Sequence, residues 1–506
     1  MGADDVLIAA RLAIRVGRPT GGGMKQGVLL LLTMSAALSV AGTQYSSADV
    51  LGEQVARFED QLARSGYVSQ AGSELVADFN EWYCRGTLFS AMWANPQAPT
   101  IASQLPEVPG QAHNSNGTAT WRLRQDEAVV LIGRTPPPVA YFSFDFTMMK
   151  GSLTAGHLLW VSVGDTISNM TVRTTGATPY DRPFAIVFTG HRRTQVEVNR
   201  MLAVAGLGGA TNNVAIPAAM FRLGLDAGAD EFFLGTRTAV PDPGFEAARD
   251  AYLEAPPLYV FRVRPKSRST SEVQPVYPPD PLSVPPLRVS GTGATELDLE
   301  PTLQLLRQRI VDQYPGYEAV DIPVERAFEE SYPGLQNKLK IHPPELGVGA
   351  ANYDARYLGT PNFVLPDGSF IVAYGPDHLA TGKASYASVA VYADEAAALF
   401  LDTKNHLELQ GSARDFIADQ QDADQFYAWT FSRAGSGGPR GAHVTVLAPT
   451  NTIYCESVGT LPDGSYRDVD MSTVRLFYRA YAEPATRTRP ALSELLLDRL
   501  LLFTPR

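Results

Sequence analysis

The chain has few of the residues from which metal and redox sites are built. Its 506 residues include two cysteines, Cys84 and Cys455, and seven histidines. Two thiolates are too few for a four-cysteine zinc site, and no two histidines have His-x-His or His-Glu-x-x-His spacing. We therefore expect no metal ion and no organic cofactor.

Positive charge and long apolar runs are also scarce. The 42 Lys and Arg residues against 53 Asp and Glu give a net charge of -11. This balance argues against a broad nucleic-acid surface, which needs clustered basic side chains. The longest apolar run, Val28 to Val40, is shorter than the about 20 residues that cross a bilayer. We expect no nucleic-acid partner and no stable membrane insertion, only a small-molecule ligand, and the sequence does not indicate an oligomeric state.

The apolar run is organised like an export signal. It follows Met24 and Lys25, and small side chains lie at its end, at Ser39 and Ala41, which is the order of a secretory signal peptide. The prediction is a signal peptide over residues 1–41, in which residues before Met24 are either a long basic region or a mis-assigned start. The mature protein is then secreted, periplasmic or extracellular.

Export changes the interpretation of the two cysteines. In an oxidising compartment, Cys84 and Cys455 can form one disulfide between the two ends of the chain. Both lie in apolar surroundings, after Trp82-Tyr83 and after Ile453-Tyr454, so two separate buried thiols are the alternative.

Patterns along the chain predict two domains. Apolar spacing predicts a helix with Leu51, Val55, Phe58 and Leu62 on one face, and strands dominate from Trp121 onward. We expect a first β-rich α+β domain over residues 49–265, a Pro/Ser-rich linker over 266–300 and a second β-rich α+β domain over 301–506. Further helices are predicted at Leu75–Trp82, Leu303–Ile310, Val324–Tyr332 and Ala491–Leu502.

The two halves repeat one pattern. Residues Asp126–Gly133 match Asp367–Gly375, and the segment that ends at Phe188 matches the segment that ends at Phe431. A third match joins Tyr259–Pro265 to Leu476–Arg479. The matches are collinear and nearly equally spaced, which favours an internal repeat. The predicted fold is therefore a β-dominated α+β fold of two tandem domains related by duplication, each preceded by one or two helices. Chance similarity between two β-rich halves is the alternative.

One loop of this repeat is rich in reactive groups. Between two predicted strands the second half carries Asp377, His378, Lys383 and Tyr386, whereas the equivalent loop Arg134–Pro138 is rich in proline. Histidine titrates near neutrality, and a neighbouring carboxylate can orient it. These four residues are the predicted catalytic residues. The alternative is a connecting turn with an exposed His378.

Cationic side chains follow other matched strands. His191 and Arg192 come after one strand and Arg433 after its counterpart, while Arg134 begins the proline-rich loop. Arginine binds carboxylate or phosphate through paired donors, so these four residues are predicted to bind substrate. Helix-end and surface ion pairs are the alternative. A further set alternates as in a strand and would place His406 and Glu408 on one face.

Taken together, these patterns predict an enzyme without naming its reaction. No phosphate loop, dinucleotide turn or Gly-x-Ser-x-Gly elbow is present in the required context. The expected function is that of an exported soluble enzyme using acid–base chemistry on a small polar or anionic substrate bound between the repeated domains. His378 would act as acid or base, Asp377 would orient it, and Lys383 with Arg192 or Arg433 would stabilise charge. The alternative is an exported, non-catalytic ligand-binding or cell-surface interaction protein.

Overall fold

The computed structural model describes residues 50–87, 91, 94–114, 117–152, 157–216, 221–266, 282, 285–326, 352–393, 399–434 and 438–506. The predicted signal peptide lies outside these residues. The chain divides into two compact units, residues 1–53 and 54–506. Of the first unit only residues 50–53 are described, and they are helical. Apart from these four residues, all that follows concerns the second unit.

Helices are few and mostly short in the described part of the chain. They are α1 (residues 50–64), α2 (Phe79–Cys84), α3 (Arg192–Val204), α4 (Glu246–Glu254), α5 (Glu300–Gln313), α6 (His406–Leu409) and α7 (Gln420–Ala423). Val55, Phe58 and Leu62 of α1 are buried, because residues three or four apart share one helix face.

The first half of the chain forms two sheets in which most strand pairs are antiparallel. Its strands are β1 (Tyr67–Ala71), β2 (Ser73–Val76), β3 (Thr100–Gln104), β4 (Ala128–Arg134), β5 (Phe142–Ser152), β6 (His157–Ser162), β7 (Ile167–Ser168), β8 (Pro183–Thr189), β9 (Thr211–Ala215), β10 (Glu231–Thr238) and β11 (Leu258–Pro265). One sheet has the order β1-β11-β4-β8-β9 and the other β2-β3-β10-β5-β6, with β7 beside β5. Val129 of the first sheet and Phe144 of the second belong to one core, so the sheets pack as a sandwich.

The second half contains a sandwich of the same topology. Its strands are β12 (Tyr317–Ile322), β13 (Glu325–Arg326), β14 (Ala355–Gly359), β15 (Phe363–Val364), β16 (Phe370–Pro376), β17 (Tyr386–Ala393), β18 (Leu399–Asn405), β19 (Phe426–Arg433), β20 (Val444–Leu447), β21 (Thr473–Tyr481) and β22 (Arg499–Pro505). The sheet orders are β12-β22-β16-β19-β20 and β13-β14-β21-β17-β18, with β15 beside β21. The parallel pair β19/β20 occupies the place of the parallel pair β8/β9.

The strand register agrees between the halves at the matched segments. Gly133 of β4 pairs with Phe184 of β8, and Gly375 of β16 pairs with Tyr427 of β19. The partners lie four residues before Phe188 and Phe431 respectively. These two matched segments therefore occupy corresponding positions in the two sheets. The third match is wrong, because Tyr259–Pro265 lies in β11, whose counterpart by strand order is β22, whereas Leu476–Arg479 lies in β21.

Three predicted helices need correction. Leu75 lies in strand β2 instead of a helix, and helix α2 starts only at Phe79. Strand β13 lies within the predicted helix Val324–Tyr332, whose residues from 327 onward are outside the described residues. The C-terminal segment forms a short 3-10 turn and then β22. Strand β22 lies between β12 and β16, and a strand buried on both faces has a continuous apolar run that resembles a buried helix.

Covalent and ionic contacts join the halves. Cys84 and Cys455 form a disulfide with a Cα–Cα distance of 5.3 Å, as the sequence predicted. Arg288, in the predicted linker, donates to Asp165 of the first half and to Asp354 of the second, at 2.7 and 2.6 Å. In the described part of the chain, no helix has both the length and the apolar character that crossing a bilayer requires.

Candidate functional site

His378 lies in a buried position between two carboxylates. It follows strand β16 and is only 4% exposed. Its Nδ1 lies 2.9 Å from Glu296 Oε1, and its Nε2 lies 3.6 Å from Asp498 Oδ2. Tyr427 donates its hydroxyl to the other oxygen of Asp498 at 2.5 Å. The imidazole is therefore held by segments that flank helix α5 and strand β22.

This environment makes His378 a buried cation. Burial disfavours its charge, but the carboxylates of Glu296 and Asp498 outweigh that effect and raise the pKa of His378 well above its usual value. Burial works against the charge of Glu296 as well, yet His378 and the hydrogen bonds from Thr381 and the Leu496 amide lower the pKa of Glu296. The exposed turn histidine considered as an alternative is thus excluded.

The predicted orienting residue makes different contacts. Asp377 accepts hydrogen bonds from the backbone amides of Leu379 and Ala380, at 3.0 and 3.3 Å. Burial raises the pKa of Asp377, although these two amides oppose the shift. Asp377 therefore caps the turn, and Glu296 takes the orienting place at His378 Nδ1. Glu296 is 82 residues away in sequence, so no local pattern pointed to it.

Lys383 and Tyr386 are buried and already bonded. Lys383 Nζ lies 2.8 Å from Glu483 Oε1 and 2.6 Å from Glu494 Oε2. The hydroxyl of Tyr386 accepts a hydrogen bond from Asn95 of the first half at 3.0 Å. The ammonium of Lys383 is therefore compensated by two carboxylates, and Tyr386 links the two halves.

A cavity of about 20 Å³ lies beside His378. Four atoms of its lining residues, Nε2 of His378, Oγ of Ser388, Nδ1 of His406 and Nη1 of Arg479, are buried without a hydrogen-bond partner among the described residues. A water molecule needs about 10–15 Å³ and two to four polar partners. The cavity can hold one water but is far smaller than the about 300–1,000 Å³ of organic-ligand pockets.

The strand predicted to present His406 and Glu408 on one face is a helix instead. His406 begins helix α6, whose N-cap Asn405 and third residue Glu408 form a capping box. Such reciprocal side-chain bonds satisfy amides that a helix start leaves unpaired. Burial lowers the pKa of His406 to about 4.

The predicted anion-binding residues are held by separate local partners. His191 is the N-cap of α3 and accepts from the Thr194 amide, and Arg192 is exposed beside it. Arg134 donates to Asp181 at 3.0 Å. Arg433 is 1% exposed and donates to backbone carbonyls, including that of Ala448 at 2.7 Å. Arg433 therefore stabilises loops of its own half, and its predicted role in binding substrate gains no support from its contacts.

A larger cleft, which the sequence did not indicate, lies between the two halves. Its volume is about 520 Å³, and its lining comes from residues 76–80 and 94–100, from helix α4, and from Phe400, Tyr454 and Val458. Phe79, Phe400 and Tyr454 provide aromatic surface, and Arg249 of α4 provides a cation. These residues come from distant segments without a common motif, so only the folded chain brings them together.

Asn80 fixes two walls of this cleft. Its Nδ2 donates to the Phe400 carbonyl at 3.0 Å and to the Tyr454 hydroxyl at 2.9 Å. Its side-chain oxygen accepts from the Phe400 amide at 3.0 Å. The disulfide follows closely, since Cys84 ends helix α2 and Cys455 is next to Tyr454. The cleft is therefore largely preformed.

Hydrogen bonds connect the cleft to the small cavity. Asn95, which lines the cleft, bonds Tyr386, and Tyr392 donates to the Ala94 carbonyl at 2.6 Å. Arg479 in turn donates to the Tyr392 hydroxyl at 2.7 Å, and its other terminal nitrogen is one of the four unpaired atoms of the cavity. The bonds from Arg479 to Tyr392 and from Tyr392 to Ala94 therefore join the lining of the small cavity to that of the cleft.

Another polar contact zone between the halves surrounds Asp354. Arg288 pairs with this carboxylate, and Tyr141 of the first half donates to it at 3.2 Å. Asn352 donates to Tyr141 at 2.7 Å and to Ser143 at 3.0 Å. Burial raises the pKa of Asp354 to about 6, although the charge of Arg288 opposes the shift.

In the described ranges, no group of three His, Cys, Asp or Glu side chains is arranged to hold a metal ion.

Comparisons with known proteins identify no family. No protein-family model matches the chain, and no curated protein matches it. Among solved structures, the VPA0106 protein from Vibrio parahaemolyticus is similar at a TM-score of 0.37 and 11% identity, over 90% of this chain and 97% of that one. PNGF-II is similar at a TM-score of 0.19 and 8% identity, over 88% of this chain and 66% of that one. At these scores neither similarity supports a conclusion about this chain.

Proposed function

We propose that this protein is an exported binding protein that takes a small organic ligand into the cleft between its two halves. The observation that carries the proposal is the cleft itself. Its volume of about 520 Å³ falls within the range of ligand pockets, about 300–1,000 Å³. Asn80 and the disulfide hold its walls in place, so little ordering accompanies binding.

Binding is favoured over catalysis by what surrounds the predicted catalytic residues. Lys383 is compensated by Glu483 and Glu494, and His378 is compensated by Glu296 and Asp498. The cavity beside His378 measures about 20 Å³, which leaves no room for an organic substrate. The cleft, in contrast, has both the space and the lining for one.

Export and duplication belong to the same proposal. A disulfide between Cys84 and Cys455 suits a secreted, periplasmic or extracellular protein, since reducing compartments keep thiols unpaired. The five main strands of each sheet follow the same order in both halves, including the parallel pairs, and only the short strands β7 and β15 differ in place. This agreement supports an origin of the two sandwiches by internal duplication. The ligand would then bind where the two copies meet.

The proposal is tested with the fluorescent probe N-phenyl-1-naphthylamine. The wild-type protein should bind it with enhanced emission, and Leu253→Trp, which puts an indole into the cleft lining, should weaken binding at least about tenfold, because the added ring occupies ligand space. Val204→Trp adds the same ring to an exposed position on α3 and should leave binding unchanged. Absent binding, or equal binding by Leu253→Trp, contradicts the proposal.

Acid–base catalysis at His378 is the second candidate function. The observation in its favour is the unpaired Nε2 of His378 beside a cavity that can hold one water. Its test is hydrolysis of chromogenic nitrophenyl esters and glycosides by the wild type and by His378→Gln. Turnover that disappears in a folded His378→Gln variant supports this candidate, and turnover that persists in the variant refutes it.

A further inference from the structure

Arg249 is the basic side chain in the described lining of the cleft. Its side chain is 16% exposed, and its Nη1 lies 3.3 Å from Asp250 Oδ1, whose side chain is 70% exposed. Such a solvent-exposed ion pair contributes little. The Nε atom of Arg249 is buried and has no hydrogen-bond partner among the described residues.

Three other polar side chains of the cleft, Asp78, Asn80 and Asn95, are already bonded. Asn80 is bonded at both ends of its amide, and Asn95 donates to Tyr386 and accepts from the Gln97 amide at 3.1 Å. Asp78, the acidic residue of the lining, accepts from the Glu81 amide as the N-cap of α2. Within the described part of the lining, Arg249 therefore has the single buried nitrogen or oxygen atom that lacks a partner.

We propose that the cleft selects an organic anion, with its carboxylate, sulfonate or similar group on Arg249 and its apolar body against the aromatic walls. The inference rests on the function proposed above. A guanidinium binds carboxylate and sulfonate oxygens through its planar N–H donors. The terminal nitrogens of Arg249 would make this contact, because its Nε is buried. The aromatic walls consist of Phe79, Phe400 and Tyr454, which suit a ring or a short hydrocarbon chain.

Charge also fixes the orientation of the ligand. Asp78 carries a negative charge at the part of the cleft that helix α2 forms, whereas Arg249 lies on helix α4. An anionic group is repelled by the carboxylate of Asp78 and attracted by Arg249. The anionic end of the ligand therefore faces α4, and the apolar end faces the disulfide-linked wall.

Two probes that differ by one group test this inference. N-phenyl-1-naphthylamine is neutral, and 8-anilinonaphthalene-1-sulfonate has the same rings with a sulfonate. The wild type should bind the sulfonate probe about tenfold more tightly than the neutral one, the effect expected of one charge-assisted contact. Arg249→Met should remove that preference and leave the affinity for the neutral probe within about twofold.

Matched variants separate the possible outcomes. Arg200→Met removes an exposed arginine of α3, outside the cleft, and should preserve the preference for the sulfonate. Arg249→Lys keeps the positive charge without the planar guanidinium and should retain only part of the preference for the sulfonate probe. This variant also tests the inference if Arg249→Met does not fold. The inference is refuted if Arg249→Met and Arg249→Lys both bind the sulfonate probe as tightly as the wild type does. The proposed function still stands in that case if the wild type binds the neutral probe and Leu253→Trp blocks this binding. If Leu253→Trp weakens the binding of neither probe, the proposed function is refuted as well.

Discussion

Nδ1 of His378 lies 2.9 Å from Glu296 Oε1, and both side chains are buried. The pair connects the loop after β16 to the segment that precedes α5, and Asp498 faces the other ring nitrogen. Burial opposes both charges, but each group shifts the pKa of the other toward its ionised form. An ion pair in such a place has large effects when one partner is removed.

We expect Glu296→Gln to lower the free energy of unfolding by about 3 kcal/mol at pH 7, because it leaves the His378 cation buried with one carboxylate fewer. Urea unfolding measures this change. Glu318→Gln, at an exposed position of β12, is the control and should change stability by less than about 0.5 kcal/mol. A similarly small effect of Glu296→Gln would mean that the pair does not contribute to stability.

The same pair predicts a defined pH window. The pKa of His378 is raised in the folded state, so its stabilising effect is complete below about pH 6.5 and is lost as the pH rises through the raised pKa. The pKa of Glu296 is lowered, so its effect is present above about pH 4.5 and is lost as the pH falls through the lowered pKa. In a pH titration of wild-type stability, this pair's contribution should therefore decline toward the acid end and toward the alkaline end. Glu296→Gln should flatten the curve.

Asp354 should have the opposite effect on the pH dependence. Its pKa of about 6 in the folded state exceeds its unfolded value, so the folded protein gains about 1 kcal/mol from this group when the pH falls from 7 to 5. Asp354→Asn should remove that gain, and chemical unfolding at the two pH values measures it. Asp312→Asn, exposed on α5, should keep the wild-type difference. An unchanged difference in Asp354→Asn would show that another group titrates there.

Removal of the disulfide should be costly. Cys84 and Cys455 are separated by 371 residues, and closing so long a loop stabilises by about 6 kcal/mol in the chain-entropy model. The double variant Cys84→Ser/Cys455→Ser should lose roughly that amount in urea unfolding. Thiol titration of the denatured, non-reduced wild type should find no free thiol, and two titratable thiols would contradict the bond.

Asn80→Ala should loosen the cleft. The Phe400 amide and carbonyl and the Tyr454 hydroxyl would lose their shared partner, at a cost of about 1–3 kcal/mol if the backbone groups stay dry. We also expect weaker binding of N-phenyl-1-naphthylamine, because Asn80 holds two cleft walls together. Thermal unfolding and probe titration of the same preparation check both effects, and unchanged values in both would show that the walls are held by other contacts.

Sequence patterns indicated the strands better than the site. Apolar alternation and turn residues located β4 and β16 and matched Gly133 with Gly375, since these signals are local. The prediction of a C-terminal helix was wrong because residues 500–503 of β22 are continuously apolar, and periodicity cannot distinguish such a strand from a buried helix. His378 was singled out by its chemistry, but its partners Glu296 and Asp498 are distant in sequence. Arg249 had no signal at all, because its importance depends on an unpaired nitrogen in a folded cleft.

The bond between Cys84 and Cys455 also determines how the molecule responds to being cut. Any single break in the backbone between these two residues leaves both pieces covalently joined, because the sulfur bridge closes a ring around most of the chain. After one such cut, the two pieces would stay linked, with both walls of the cleft, until a reductant cleaved the disulfide. Survival after proteolysis in an extracellular setting would then depend on the redox state of the surroundings more than on the integrity of the backbone.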